Sequence, residues 1–440
     1  MRWLGLLVLL CLLCFGVTAP AEAQESALKG PLAASATVTN TAATPTSAAS
    51  IDPAIETRRI LDRTTSAERT KSDAYFEGKY WMLLWEVLYG LVVAWLLLSR
   101  RVSAWMRDRA ERITTRKFLQ TAIYVAMYAP LVAALTLPWT FYEGFVREHQ
   151  YGLSNLDAAG WFAEWGMTQV VDTLLFIVAM VGLYAILRRA PRTWWAWGTV
   201  GGSLMLALLL AITPVFIKPI FNKYQPLPAG ELRTEILAMA RANGIPADDV
   251  YWFDASKQTK RISANVSGLF GTTRISLNDN LLNRTSPAEI RAVMAHEMGH
   301  YVLNHMLKHI VAFTLILLVG LLFVKFAWTW AHARFGARFG VRGIDDPAGL
   351  PLLLALLSVY VLLATPVTNT VIRTAEVEAD IFGLNAAREP DGFAQAIFKL
   401  GEYRKMEPGH VEEFFFFDHP SGYNRIFAAM RWKAAQMAVK

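Results

Sequence analysis

The chain has 440 residues, of which 54% are hydrophobic and 18% are charged, and its formal net charge is +7. A composition this apolar, with several long uninterrupted apolar runs, excludes an ordinary soluble protein. The excess of lysine and arginine falls mostly in short loops between those runs. Because no basic patch is interleaved with aromatic residues, the sequence also excludes a nucleic-acid partner.

The N-terminus, residues 1–23, has the pattern of an export signal. Arg2 supplies a positive start, Trp3 to Val17 an apolar stretch, and Ala21-Glu22-Ala23 a small-residue cleavage pattern. An uncleaved N-terminal anchor is the alternative. Both interpretations predict that the segment that follows is exported.

Residues 24–78 are predicted to be an exported flexible linker and pre-membrane segment, since Pro31 to Ser50 is rich in Ala, Thr and Ser and has no core-forming pattern. The two cysteines of the chain, Cys11 and Cys14, both lie in the signal segment. A metal ion bound elsewhere must therefore be held by histidine and carboxylate ligands.

Six apolar stretches are long enough to cross a bilayer, which requires about 20 residues. Four are predicted within residues 79–217 and two within 309–371. Their approximate bounds are Trp81 to Leu98, Phe118 to Thr140, Val170 to Leu187, Trp194 to Ile217, Ile310 to Trp330 and Leu352 to Asn369.

The loops after the first, third and fifth stretches are basic, whereas the loop from Phe141 to Gln169 carries four acidic residues and a single arginine. The positive-inside rule makes the basic side cytoplasmic. The opposite side is then the periplasm, if the protein belongs to a bacterial inner membrane. The export signal predicts the same orientation independently.

A polar domain is predicted over residues 218–308. Its pattern indicates a helix from Gly230 to Asn243, a strand near Val250 to Phe253 and a hairpin from Ile262 to Leu277. A strand of this kind can bind an extended peptide by backbone pairing. Asn265 on the hairpin could fix a substrate carbonyl, or it is an ordinary turn residue.

The motif His296-Glu297-Met298-Gly299-His300 ends this domain. Residues four apart share one face of a helix, so His296 and His300 can bind one metal ion, with Glu297 beside the water that completes the coordination. Two histidines on a helix also occur by chance. Here Ser286 to Glu289 has the pattern of a helix N-terminus and helical apolar spacing follows it, which places the motif well inside a helix.

Two histidines require a third ligand. A metzincin would have glycine and histidine where this chain has Leu303 and Met306, so that class is excluded. His305 and His309 are expected on an uninterrupted continuation of the same helix, turned away from His300, as polar groups where the helix meets the membrane.

Glu376 is the candidate third ligand. It lies about as far beyond the end of the sixth span as His300 lies before the start of the fifth, so both residues can meet at one level outside the bilayer. Asp380, four residues later, shares its face and could orient a ligating imidazole. Glu378 is expected to be solvated or paired with a cation. In residues 372–440, Asp418-His419-Pro420 and Arg425 could supply donors to the oxyanion formed at a scissile carbonyl.

Taken together, these motifs resemble those of the Ste24-type CAAX prenyl protease family of integral membrane zinc metallopeptidases (M48). The residues that carry the resemblance are Ile217 to Pro228, Asn265, His296 to His300, Glu376 to Asp380, and His419-Pro420 with Arg425. The resemblance implies one zinc ion per chain held by His296, His300 and Glu376, with Glu297 as general base. It also implies Asn265 at the substrate-binding strand, and His419 and Arg425 near the transition state.

The fold expected is mainly α: a polytopic helical membrane protein, a helical barrel in the relatives, with a small α+β metallopeptidase domain at one membrane face. Relatives have seven spans and cleave peptides near a C-terminus, whereas this chain has six predicted spans besides the signal. Eukaryotic relatives also process prenylated substrates from the cytosol, whereas the catalytic side here is predicted to face the periplasm.

The protein is expected to be a membrane-embedded zinc metalloendopeptidase. Its expected partners are the lipid bilayer and a peptide or protein substrate, and in one interpretation that substrate is itself associated with the membrane. One alternative is a periplasmic quality-control protease acting on non-prenylated membrane or exported proteins. A non-enzymatic alternative is a membrane scaffold with a structural zinc site. Structural zinc usually has four protein ligands and no adjacent base, which favours the enzyme.

Overall fold

The computed structural model describes residues 51–268 and 273–439. The predicted export signal, the linker up to residue 50 and the tip of the predicted hairpin lie outside the described residues. Within them the chain is mainly helical, as expected. The α-helices of more than one turn, in chain order, are α1 (Pro53–Leu61), α2 (Ser66–Ser99), α3 (Val102–Ile113), α4 (Lys117–Phe141), α5 (Ala158–Arg189), α6 (Trp194–Ile212), α7 (Glu231–Ala242), α8 (Asp279–Arg284), α9 (Pro287–Val302), α10 (His305–Phe339), α11 (Leu350–Ala387), α12 (Pro390–Leu400), α13 (His410–Phe416) and α14 (Gly422–Val439).

Six of the described helices are long and apolar enough to cross a membrane: α2, α4, α5, α6, α10 and α11. Five of them contain one of the predicted apolar stretches and continue beyond it. Helix α6 covers the fourth stretch up to Ile212, and a π-helical turn over Thr213–Ile217 completes it. Helix α2, for example, begins at Ser66, where Thr65 and Glu68 form a capping box, well before Trp81. The part of the pre-membrane segment that the structure describes is therefore largely helical.

A four-stranded sheet lies beside the spans. Its strands are β1 (Tyr224–Pro226), β2 (Val250–Phe253), β3 (Ala264–Ser267) and β4 (Arg274–Asn278), in the order β1-β2-β4-β3. Strands β3 and β4 pair antiparallel, which confirms the predicted hairpin, and Asn265 lies opposite Ser276. Strand β3 is at the edge of the sheet, so one side of its backbone is open to another chain.

Helix α9 carries the metal motif and begins with the predicted capping box. Ser286 accepts from the Glu289 amide, and Glu289 accepts from the Ser286 amide at 2.8 Å. The expectation that this helix continues unbroken into the fifth span is wrong. It ends at Val302, and α10 starts at His305 after Asn304 adopts φ 54°. Asparagine tolerates this left-handed conformation better than most residues, so the break needs neither glycine nor proline.

Candidate metal centre

Three side chains from α9 and α11 converge on one point. The Nε2 atom of His296 lies 3.2 Å from Glu376 Oε2, and that of His300 lies 3.4 Å from Glu376 Oε1. The two Nε2 atoms are 3.2 Å apart. All three ligand atoms fall within 4.8 Å of one another, with His296 and Glu376 buried and His300 half-buried. The structure thus brings together the two histidines and the distant carboxylate that the sequence singled out.

The close approach of two helices sets this separation. At Gly383 on α11, a Cβ atom would lie 3.0 Å from the backbone nitrogen of His296. At Gly299 on α9, it would lie 3.2 Å from the Cα atom of Ala379. Both contacts would be tighter than nine in ten real Cβ contacts, so glycine at these positions allows the backbones to approach closely. No local sequence pattern predicts this role for either glycine.

The Nδ1 side of His296 faces a buried carboxylate, Asp380, which is in turn bound by Arg425. Asp380 Oδ1 lies 2.8 Å from His296 Nδ1. Arg425 in turn donates to both oxygens of Asp380, at 2.8 and 2.5 Å, and all three side chains are buried. This is the place expected for Asp380. Arg425 lies farther from the ligands, at 3.9 Å from Glu376 Oε2.

Behind His300, a second chain of polar contacts reaches the protein surface. His300 Nδ1 lies 2.9 Å from His305 Nδ1, and His305 Nε2 lies 3.0 Å from Glu378 Oε2. Lys308 donates to the same carboxylate at 2.5 Å. The expectation that His305 turns away from His300 is wrong, because the break at Asn304 rotates α10 relative to α9. The expected ion pairing of Glu378 is confirmed.

The C-terminal cluster reaches the centre through His419. Its Nε2 atom lies 3.3 Å from Glu376 Oε2, while its Nδ1 atom lies 2.8 Å from Asp418 Oδ1. The short segment between α13 and α14 carries both residues and brings this imidazole to the carboxylate of Glu376.

Burial controls the electrostatics of the α9 residues. It raises the pKa of Glu297 to about 7, although the positive field of His296 opposes the shift. Burial also lowers the pKa of His300 to about 3. For His296 the effect of burial is outweighed by Asp380 and Glu376, whose contacts raise its pKa to about 10. The carboxylates therefore create a negative potential at the imidazole nitrogens.

These residues fit a divalent cation. Glu376 Oε2 is buried and accepts no hydrogen bond of good geometry from the part of the chain that the structure describes. A buried carboxylate oxygen without a donor is costly unless a cation approaches it. Two imidazole nitrogens and one carboxylate are the ligand set of many catalytic zinc sites, with a further position left for water.

Comparison with known proteins decides the family. A family model described as the CAAX prenyl protease N-terminal region, with five membrane helices, matches residues 56–223. The model of peptidase family M48 matches residues 226–433. The chain belongs to peptidase family M48. Its two matched regions meet at strand β1, just after the first four spans, and together they account for nearly all the described residues.

Several relatives place this M48 peptidase among the Ste24-type enzymes. It is 28% identical to the uncharacterized metalloprotease YhfN of Bacillus subtilis over 78% of this chain and 79% of that protein. It is 31% identical to CAAX prenyl protease 1 of Saccharomyces cerevisiae over 49% and 48% of the two chains. The crystal structure of S. mikatae Ste24p has the same fold, with a TM-score of 0.70 and 22% identity, covering 87% of this chain and 92% of that one. The protein is a Ste24-type zinc metalloendopeptidase of the membrane.

Proposed function

We propose that His296, His300 and Glu376 bind one zinc ion per chain and that this centre hydrolyses peptide bonds. The convergence of their three ligand atoms within 4.8 Å, on two helices that touch through glycine, carries the proposal. Asp380 holds the imidazole of His296 in the orientation that directs Nε2 to the metal. Arg425 acts through Asp380, since its guanidinium is already engaged by both oxygens of that carboxylate.

A zinc ion held by His296, His300 and Glu376 would supply Lewis-acid chemistry, which polarises the scissile carbonyl and makes water more acidic. Glu297, next to His296 in the sequence, accepts the proton of the attacking water and returns it to the leaving amine. The Nε2 atom of His419 lies 3.3 Å from Glu376 Oε2, and this imidazole can donate a hydrogen bond to the developing oxyanion. The edge strand β3 pairs with the extended substrate, and Asn265 binds a substrate carbonyl.

The substrate proposed is a peptide or protein segment at the membrane, presented on the periplasmic side of a bacterial inner membrane. The basic loops after the first, third and fifth spans support this orientation. The same observation favours a second candidate, a quality-control protease for non-prenylated membrane or exported proteins, because the prenylated substrates of the eukaryotic relatives are cytosolic.

The test of the catalytic assignment is the Glu297→Gln variant, which keeps the size of the side chain and removes the base. Purified in detergent beside wild type, it should retain bound zinc by elemental analysis and lose roughly 10²- to 10⁴-fold in turnover. Turnover at the wild-type rate would reject Glu297 as the base. His300→Ala serves as the contrasting variant, since it should lose the metal itself.

Mass spectrometry of the products discriminates the substrates. Three are compared: a peptide with a prenylated C-terminal cysteine, the same peptide without the prenyl group, and an unfolded test protein. Cleavage of the prenylated peptide alone supports a prenyl-directed enzyme, whereas cleavage of the unfolded protein supports the quality-control function. A zinc-loaded wild type that cleaves none of the three supports the scaffold instead.

A further inference from the structure

Helix α13 is unusual because its apolar side chains point outward. Val411, Phe414 and Phe415 follow helical spacing and lie on one face, with 72%, 48% and 44% of their surface exposed. An exposed group of large apolar side chains of this kind marks a contact with an apolar partner rather than with water.

The carboxylates of the same helix point inward. Glu412 accepts a hydrogen bond from the Tyr80 hydroxyl at 2.8 Å and lies 3.0 Å from Lys405 Nζ. Glu413 accepts from the Ser421 amide at 2.9 Å. A short surface helix in water would have the opposite arrangement, with apolar residues inside and acidic residues outside.

The neighbours of α13 fix its height relative to the bilayer. Tyr80 on α2 stacks on Phe416, with ring centroids 4.0 Å apart. Asn369 on α11 donates to the Phe415 carbonyl at 2.8 Å. Helix α2 ends at Ser99 and α11 begins at Leu350, both at the basic, cytoplasmic end.

A hydrocarbon core about 30 Å thick corresponds to about 20 helical residues. Counting about 20 residues back from Ser99 reaches Tyr80, and counting about 20 forward from Leu350 reaches Asn369. Two independent helices therefore place α13 at the boundary of the hydrocarbon on the catalytic side. Its apolar face also continues the outward-facing residues of those helices. These include Trp81 and Trp85 on α2, and Leu363 and Val367 on α11, which are 45% to 65% exposed.

We propose that α13 is an interfacial helix whose Val411, Phe414 and Phe415 insert into the lipid of the catalytic-side leaflet. Three observations indicate that lipid covers this face. The apolar side chains of α13 point outward, the helix lies at the hydrocarbon boundary, and its apolar face continues the lipid-facing surface of α2 and α11. Because Asp418 and His419 follow α13 almost directly, the insertion fixes the height of the His419 segment at the membrane surface.

Site-directed spin labelling tests the contact with lipid. In a background with Cys11→Ser and Cys14→Ser, a nitroxide is attached to Phe415→Cys, and separately to Val411→Cys as a second reporter on the same face. The full-length protein is reconstituted in vesicles of phosphatidylethanolamine and phosphatidylglycerol. Collision rates with molecular oxygen, which concentrates in lipid, and with a water-soluble nickel chelate are then measured.

Two controls define the scale: Leu363→Cys, on the lipid-facing side of a span, and Arg59→Cys, whose side chain is 77% exposed on α1. We expect the α13 labels to collide with oxygen more often than the Arg59 label does, and at most as often as the deeper Leu363 label does. They should collide with nickel at least several-fold less than the Arg59 label does. Nickel collision equal to that at Arg59 would show that the face is in water. Little collision with either reagent would show that protein covers it. Either result overturns the proposal.

Discussion

Each of the two imidazoles that we propose as zinc ligands has its second nitrogen within 3 Å of another side chain. For His296 that neighbour is a carboxylate, Asp380, as the i, i+4 spacing from Glu376 predicted. For His300 it is His305, which the sequence did not identify because the helical break at Asn304 carries no proline or glycine signal. If His300 binds zinc through Nε2, its Nδ1 must carry the proton and donate it to His305. The Nε2–H of His305 then donates to Glu378.

This geometry makes His305 a positioning residue. In His305→Leu, the imidazole of His300 loses its acceptor, so zinc affinity should fall by roughly 10- to 100-fold, as for other removed outer partners of zinc ligands. Competition with a chelator measures the affinity. His305→Asn, whose amide oxygen can accept in place of Nδ1, should recover part of the loss.

The matched control is His332→Leu on the same helix. His332 contacts a backbone carbonyl near the other end of α10, 3.1 Å from Val341 O, far from the zinc ligands. This variant should keep wild-type zinc affinity even where its stability falls. Equal affinities in His305→Leu and wild type would reject the positioning role, whereas the effect of His300→Ala tests the ligand itself.

At the scale of elements, the centre depends on how α9 crosses α11. Local patterns predicted much of what forms these elements: the capping box at Ser286 and the hairpin that contains Asn265. Residue spacing also predicted that His296 and His300 share one face of α9 and that Glu376 and Asp380 share one face of α11. The crossing itself was not, because it arises from contact between distant backbones at Gly299 and Gly383, and neither glycine has a local signature that separates it from any other helical glycine.

A larger side chain at the crossing should push the helices apart. Gly383→Val places a Cβ against the backbone of His296, and overpacking of this kind costs about 1–3 kcal/mol. The displacement also moves Glu376 away from both histidines, so zinc per protein should fall. Gly90→Val on α2 is the control, because a Cβ there meets no atom within 4 Å and the intrinsic penalty of valine in a helix is the same.

Thermal unfolding with and without added zinc separates the loss of stability from the loss of zinc binding in Gly383→Val. We expect a lower midpoint than in Gly90→Val and a smaller rise when zinc is added. A variant that unfolds at a lower temperature yet binds zinc as wild type does would show that the crossing supports the fold without setting the ligand distances.

At the scale of the whole molecule, the distribution of charge predicts how the chain is oriented in the membrane. The loop after the first span, basic in sequence, is largely helix α3, and part of its charge is structural. Arg107, for instance, is buried against Asp346 at 2.6 Å. Exposed arginines remain at the same end, including Arg109, and the metal centre lies at the other end of α11. The export pattern at residues 1–23 and the basic loops therefore agree on one orientation.

Cysteine labelling in cells tests that orientation. In the Cys11→Ser, Cys14→Ser background, Asp391→Cys reports on the catalytic side and Arg109→Cys on the basic side; both side chains are exposed. An impermeant maleimide should label Asp391→Cys in intact spheroplasts and Arg109→Cys only after lysis. The reverse pattern would put the centre in the cytoplasm and reject the predicted orientation. The expected pattern would restrict its substrates to exported chains and to the outer faces of membrane proteins.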